Sequence, residues 1–151
     1  MIDELKEKLS NLEKKVERFV RVGVVTQVYP EKGTVRVKFA DLDDVVSYEL
    51  PVLVRKTYKD KDYWMPDIGE HVVCVFLPTG AEQGFVVGAF YSKEDKVPAK
   101  SVDIKRIELG NGAYMEWDRK AGTLRIFAPG EISIVSGTHI LLIAPRIDLN
   151  P

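Results

Sequence analysis

Val22-Gly23-Val24-Val25-Thr26-Gln27-Val28, then Tyr29-Pro30-Glu31-Lys32-Gly33, then Thr34-Val35-Arg36-Val37-Lys38-Phe39: two runs rich in β-branched residues flank five residues of turn chemistry. Side chains alternate between the faces of a strand, and branched residues fit its pleat, so each run reads as a strand. Proline and glycine punctuate the stretch between them, and the whole predicts a β-hairpin. Further strands are expected at 45–54, 71–77 and 84–91, each bounded by Gly, Pro or charge clusters. Five or so short strands without a strong helical interruption predict a small closed barrel of the OB type. The polar segment 56–63 is expected to be a long loop, after which Trp64-Met65-Pro66 returns to the core or to an interface.

Upstream of the hairpin the period changes. Ile2, Leu5, Leu9, Leu12, Val16 and Phe19 recur in alternating steps of three and four, and the positions between them are nearly all Glu, Lys, Asp or Arg. That is a heptad stripe. It covers about two and a half heptads, and a helix so short is marginal alone in water, so the stripe needs a partner. Packing on its own domain would supply one. A stripe confined to a and d positions is narrower than the face a core-packed helix buries, which favours self-association through a short coiled coil.

Downstream of 94–101, a charged stretch with Pro98 that reads as a linker, the chain repeats every eight residues. Leu124, Ile132 and Ile140 fall in phase, as do Ile126, Ile134 and Leu142, and Pro129, Gly137 and Pro145. Leu109 and Trp117 continue the pattern upstream, and a nine-residue step to Ile126 absorbs the turn 118–122. Each unit is a short strand, a small residue and a Pro or Gly corner. A stack of such strands in about 45 residues has too little volume to make its own core, so other copies must supply the walls. Three chains wound about one axis would bury the in-phase Leu and Ile and leave no open sheet edge. An ordinary β-meander packed on the barrel is the alternative.

With 151 residues, 22 Lys plus Arg and 23 Asp plus Glu, the chain carries a net charge of −1. One domain with extensions fits that length. The balance lacks the basic footprint that dominates nucleic-acid and membrane-surface binding. Cys74 is the single cysteine and lies in an apolar run, so no disulfide forms within the chain. No apolar stretch reaches the roughly 20 residues of a bilayer-spanning helix, and the charged, periodic N-terminus is unlike a signal peptide. The expectation is a soluble protein made in the cytoplasm.

These segments, taken in order, resemble a known family. Val22-Gly23-Val24-Val25, Leu50-Pro51, Trp64-Met65-Pro66-Asp67-Ile68-Gly69-Glu70-His71-Val72, Leu77-Pro78-Thr79-Gly80 and Gly84-Phe85-Val86-Val87-Gly88-Ala89-Phe90-Tyr91 resemble the phage baseplate assembly protein V group, related to the VgrG spikes of type VI secretion. Gly110-Asn111-Gly112-Ala113-Tyr114-Met115-Glu116-Trp117-Asp118 resembles the family's entry into its β-prism. The resemblance implies an OB domain that docks on a trimeric baseplate hub and a trimeric prism that forms the needle. It further implies assembly into the baseplate of a phage tail, a tailocin or a related particle. Two departures stand out. The linker leaves no room for the cell-wall hydrolase that some relatives carry, and His71 and His139 do not form the His-x-His pair of a metal-tipped apex. A separate tip protein or a simple apolar tip is favoured over a metal.

No catalytic residue, cofactor or metal ligand stands out. Asp41, Asp43 and Asp44 lie close together, but no His, Lys or nucleophile accompanies them, and a hydrophilic loop accounts for them. His71 reads as a satisfied core or surface histidine. There is no Gly-rich phosphate loop. An OB barrel that binds single strands would use stacking aromatics, and Tyr29, Phe39, Tyr48, Tyr58, Tyr63 and Trp64 are available, although the charge opposes it. A glycan-binding tip module would use Tyr63 and Trp64. The reading carried forward is a mainly β chain: helix 1–20, OB domain 21–93, linker 94–102 and trimeric β-helical spike 103–151. It acts as the structural central spike that meets the target membrane only transiently. Trp64, Met65, Leu5, Leu9 and Leu12 are the hub-interface candidates, and Leu109, Trp117, Leu124, Ile126, Ile132, Ile134, Ile140 and Leu142 form the expected trimer core.

Overall fold

The computed structural model describes residues 1–79 and 83–150. Gly80, in the expected turn 77–80, and Pro151, at the end of the expected spike, lie outside the described residues. The chain divides into two compact units, Met1–Lys96 and Val97–Pro151.

The first unit opens with helix α1 (Ile2–Glu17), which has Asp3 and Glu4 in its first turn and Lys14 and Lys15 in its last, the arrangement that complements the helix dipole. None of its residues is buried. Strands β1 (Val20–Tyr29) and β2 (Thr34–Phe39) form the expected hairpin, with Val28 opposite Val35 and Tyr29 opposite Thr34. Gly33 turns the corner at φ +68°, a conformation that a side chain disfavours. β5 (His71–Phe76) lies antiparallel to β1, and β6 (Gly84–Ala89) lies antiparallel to β5.

The single strand expected over 45–54 is two short ones, β3 (Val45–Val46) and β4 (Leu50–Pro51), both paired with β2. The reason lies in Ser47. Its hydroxyl accepts a hydrogen bond from the Val37 N–H at 3.0 Å and donates to the Tyr48 carbonyl at 2.7 Å, which diverts the backbone from the ladder. Beyond β4, Val52 pairs in parallel with Val86 of β6, and the Leu53 N–H donates to the Val86 carbonyl at 2.9 Å. That parallel contact closes the circuit β1–β2–β4–β6–β5–β1, the closure of an OB barrel.

Inside the barrel lie Val25, Val35, Val37, Phe39, Leu50, Val72, Cys74, Phe76 and Val86. Half-buried and buried residues alternate along β2 and again along β5, the period of two seen in the sequence. Each fully buried valine or leucine contributes roughly 1.5–3 kcal/mol by leaving water. Phe39, counted among the candidate stacking aromatics, is instead in this core, edge-on to Phe76 with ring centroids 5.8 Å apart, and cannot present its face to a base.

The second unit holds an antiparallel meander of β7 (Ile104–Glu108), β8 (Tyr114–Asp118) and β9 (Thr123–Phe127). The β8–β9 turn is set by Asp118, whose carboxylate accepts from the Lys120 and Ala121 N–H groups at 2.9 Å each. After Phe127 the described residues contain no further strand or helix, but the chain bends at Pro129–Gly130, at Gly137–Thr138 and at Pro145, eight residues apart.

Candidate functional site

Two apolar surfaces of the first unit bear on binding. On α1, Leu5, Leu9 and Leu12 are 61%, 57% and 57% exposed and share one stripe with Ile2 and Val16. On the barrel, Met65 packs against the core while its neighbour Trp64 remains 58% exposed. The two line an open groove of about 340 Å³ together with Val52, Leu53, Pro66 and Val87. No residue of α1 lines that groove, so the five candidates form two surfaces rather than one.

Sequence reasoning missed Leu53 and Val87. The sequence places Leu53 in a continuous strand over 45–54, whereas the chain leaves β4 after Pro51. Val87 reaches the groove because the β5–β6 register shifts between Val73 and Cys74, pairing Gly88 and then Val86 with successive residues. The loop leading to Trp64 is tied by the Arg55 Nε–H donating to the Asp62 carboxylate at 2.8 Å. That bond raises the pKa of Arg55 and lowers that of Asp62. The Tyr63 hydroxyl donates to the Pro30 carbonyl at 3.5 Å.

The acidic group at 41–44 is a turn. Ala40–Leu42 forms a short 3-10 helix, Asp43 and Asp44 take left-handed backbone conformations at φ +52° and +58°, and Asp44 lies 4.0 Å from the Lys38 ammonium. His71 Nδ1 lies 3.4 Å from an Asp95 carboxylate oxygen, off hydrogen-bonding geometry, with Phe90 edge-on at 6.2 Å. Cys74 is buried, and that burial pushes its thiol pKa up to about 11. Among the described residues no three His, Cys, Asp or Glu side chains come together as a metal site.

In the second unit the register places Trp117 opposite Leu124, and Met115 opposite Ile126. Leu124 and Ile126 are 53% and 54% exposed, and Leu109, just past β7, is 51% exposed. Ile132, Ile134, Ile140 and Leu142 lie in the bent segment after β9, with exposures between 50% and 71%. At the second bend the Ser136 hydroxyl accepts from the Thr138 and His139 N–H groups at 3.3 and 3.1 Å.

A barrel with this circuit corresponds to a known class of domain. Residues 21–91 match the type VI secretion system/phage-baseplate injector OB domain. Along its length the chain is similar to the spike protein of Escherichia phage P2, with 20% identity over 139 residues. That alignment covers 92% of this chain and 64% of the phage protein, so the chain spans just under two thirds of its relative's length.

Proposed function

We propose that this chain is the central spike subunit of a contractile injection machine: a homotrimer whose barrel and N-terminal helix dock on the baseplate hub and whose residues 103–151 form the needle that pierces the target envelope. The role is mechanical and involves no reaction of its own. It belongs to the baseplate of an assembled phage tail or phage-tail-like particle, with a separate tip protein or an apolar tip at the needle's end.

One observation carries the reading. The bends at Pro129–Gly130, Gly137–Thr138 and Pro145 coincide with the corners of the eight-residue repeat, and Leu124, Ile132 and Ile140 recur in the same phase. Between those bends the described residues 128–150 make no backbone-to-backbone hydrogen bond within the chain. Backbone donors and acceptors in an apolar assembly require partners, and strands of neighbouring copies provide them at the same period. A prism closed in this way has no edge and cannot open locally, which gives a puncturing rod its stiffness.

The test is the mass of the purified full chain by light scattering, expected at about three times 17.1 kDa. Ile134→Asp is expected to abolish the trimer, since it places up to three carboxylates near a dry axis. A stable monomer at micromolar concentration would sink the spike reading; an unchanged trimer in the variant would show that Ile134 does not face the axis.

A further inference from the structure

We propose that α1 pairs with α1 of the other copies in a parallel, in-register coiled coil, in which Lys8 of one helix faces Glu13 of the next. The inference rests on the trimeric reading above and gives the apolar stripe of the helix an occupant, the equivalent helices, which the hub then receives as one bundle.

The helix is left uncovered by its own chain. None of its residues is buried, and Ile2 and Val16, at the two ends of the stripe, are 67% and 56% exposed. Its way back onto the barrel is closed by the length of the connection. The Arg18 and Phe19 N–H groups donate to the Lys15 and Val16 carbonyls at 3.2 Å each, which carries the helical turn up to the edge of β1. The Phe19 carbonyl already accepts from the Phe76 N–H of β5 at 2.8 Å, so Arg18 alone separates the end of α1 from backbone tied to the sheet. A helix that doubles back on a strand uses a connection of about two to six residues.

The charges beside the stripe say what covers it. Ile2, Leu9 and Val16 occupy the a positions of a heptad and Leu5 and Leu12 the d positions, which puts Lys8 and Lys15 at g and Lys6 and Glu13 at e. In a parallel pair a g residue lies beside the e residue five positions further on in the neighbouring helix, and this sets Lys8 against Glu13. An antiparallel pair sets g against g, and here both g residues are lysine. Within its own helix Glu13 has Leu9, Ser10, Val16 and Glu17 three and four residues away, so no cation of that helix is its neighbour. Lys8 meets Glu4 of the same helix at 3.0 Å, one turn back, on the side away from Glu13.

Sixteen residues are marginal for a helix alone in water. Copies joined in parallel through residues 103–151 hold their helices at high effective concentration, which makes the pairing an intramolecular event. Leu5, Leu9 and Leu12 then act on the hub indirectly, by holding three helices in one bundle.

The experiment uses the full-length chain with one cysteine added, the native Cys74 being buried. Oxidised Leu9→Cys is expected to run on a denaturing gel as a disulfide-linked pair, and Glu7→Cys, at an outer position of the heptad, should cross-link several-fold more slowly. The charge pair is read from the melting of the helical circular dichroism signal. Lys8→Glu and Glu13→Lys should each lower the midpoint, although in the second the added ammonium gains Glu17 one turn on, and the two together should restore it. A trimer in which Leu9→Cys cross-links no faster than Glu7→Cys overturns the proposal and leaves the trimeric reading intact. A double variant that melts no higher than the single ones overturns it as well. A wild-type chain that is monomeric by light scattering removes the trimeric reading and this inference with it.

Discussion

Gly23 and Lys38 approach so closely across β1 and β2 that a side-chain carbon on the glycine would fall 2.6 Å from the Lys38 carbonyl oxygen. The same carbon would meet the ring of Phe39 at 2.9 Å. Backbone and a packed aromatic both have little room to yield. Gly23→Ala is therefore expected to destabilise the barrel by about 1–3 kcal/mol, the usual cost of overpacking. Gly88→Ala, with nothing within 4 Å of the added carbon, should cost far less. Urea unfolding of the two variants checks the contrast, and equal midpoints would contradict the close approach.

The two apolar surfaces of the first unit should contribute separately to hub capture. Trp64 sits half-exposed at the rim of a groove whose floor includes Met65, the arrangement of an interface anchor. Trp64→Ala is expected to weaken binding to the hub of the same particle by about 2 kcal/mol, roughly 30-fold. Deleting residues 1–20 should also weaken capture while leaving the oligomeric state of the chain unchanged. Surface-binding measurements on immobilised hub separate the two. Full affinity after the deletion would reduce α1 to an intramolecular packing element, and full affinity of Trp64→Ala would move the interface off the groove.

Much of the barrel was legible because its strands bury one face, which writes a period of two into Val35, Val37 and Phe39 and again into Val72, Cys74 and Phe76. What was not legible depends on single side chains acting on backbone. Ser47 looks like any strand residue, yet its hydroxyl captures the Val37 N–H and breaks one expected strand into two. Phe39 reads equally well as a core residue or a surface platform until the hairpin register assigns its side. Ile107 and Met115 went unnoticed although they keep the steps of the repeat, eight residues from one to the other and nine from Met115 to Leu124. Alternation from Trp117 and Leu109 was the signal that could have found them, since residues two apart in a strand share a face. The groove formed by Leu53 and Val87 had no signal, because it arises where the chain leaves β4 and where β6 shifts register.

Cys74 makes stability depend on alkaline pH. Its buried thiol resists ionisation up to about pH 11, against an ordinary value of 9.0, because burial penalises the thiolate. In the unfolded chain the thiol loses its proton near that ordinary value. Between the two the unfolded state binds fewer protons than the folded state, so stability falls as pH rises. Below about pH 9 the contribution is fully present, and by about pH 11 it is lost, a change of at most about 3 kcal/mol. Urea unfolding at pH 8, 9.5 and 10.5 should show a steeper decline for the wild type than for Cys74→Ala. A thiol reagent at pH 8 should label the folded protein only as fast as it unfolds. Rapid labelling of the native chain would contradict the burial.

The end of the proposed needle is expected to hold no metal, because of the phase of the last repeats. Leu124, Ile126, Ile132, Ile134, Ile140 and Leu142 recur on one face, and alternation then assigns His139 to the other. The backbone adds a constraint, because the His139 N–H donates to the Ser136 hydroxyl and so ties the residue to the bend at Gly137–Thr138 that opens the unit. On the outer face of a three-chain prism, imidazoles from different copies stand too far apart to share an ion. The competing register is a one-residue slip. His139-Ile140-Leu141-Leu142-Ile143 is apolar at every position after the histidine, so a slipped strand would still bury isoleucine and leucine while turning His139 toward the axis, where three imidazoles hold a transition metal. The corners at Pro129, Gly137 and Pro145 oppose the slip, because moving one strand would move its bend out of step with the other two. Elemental analysis of the purified assembly decides between the registers. The expected result is no stoichiometric metal and no change on His139→Ala; about one iron or zinc per three chains, lost in that variant, would establish the slipped register and an axial metal site.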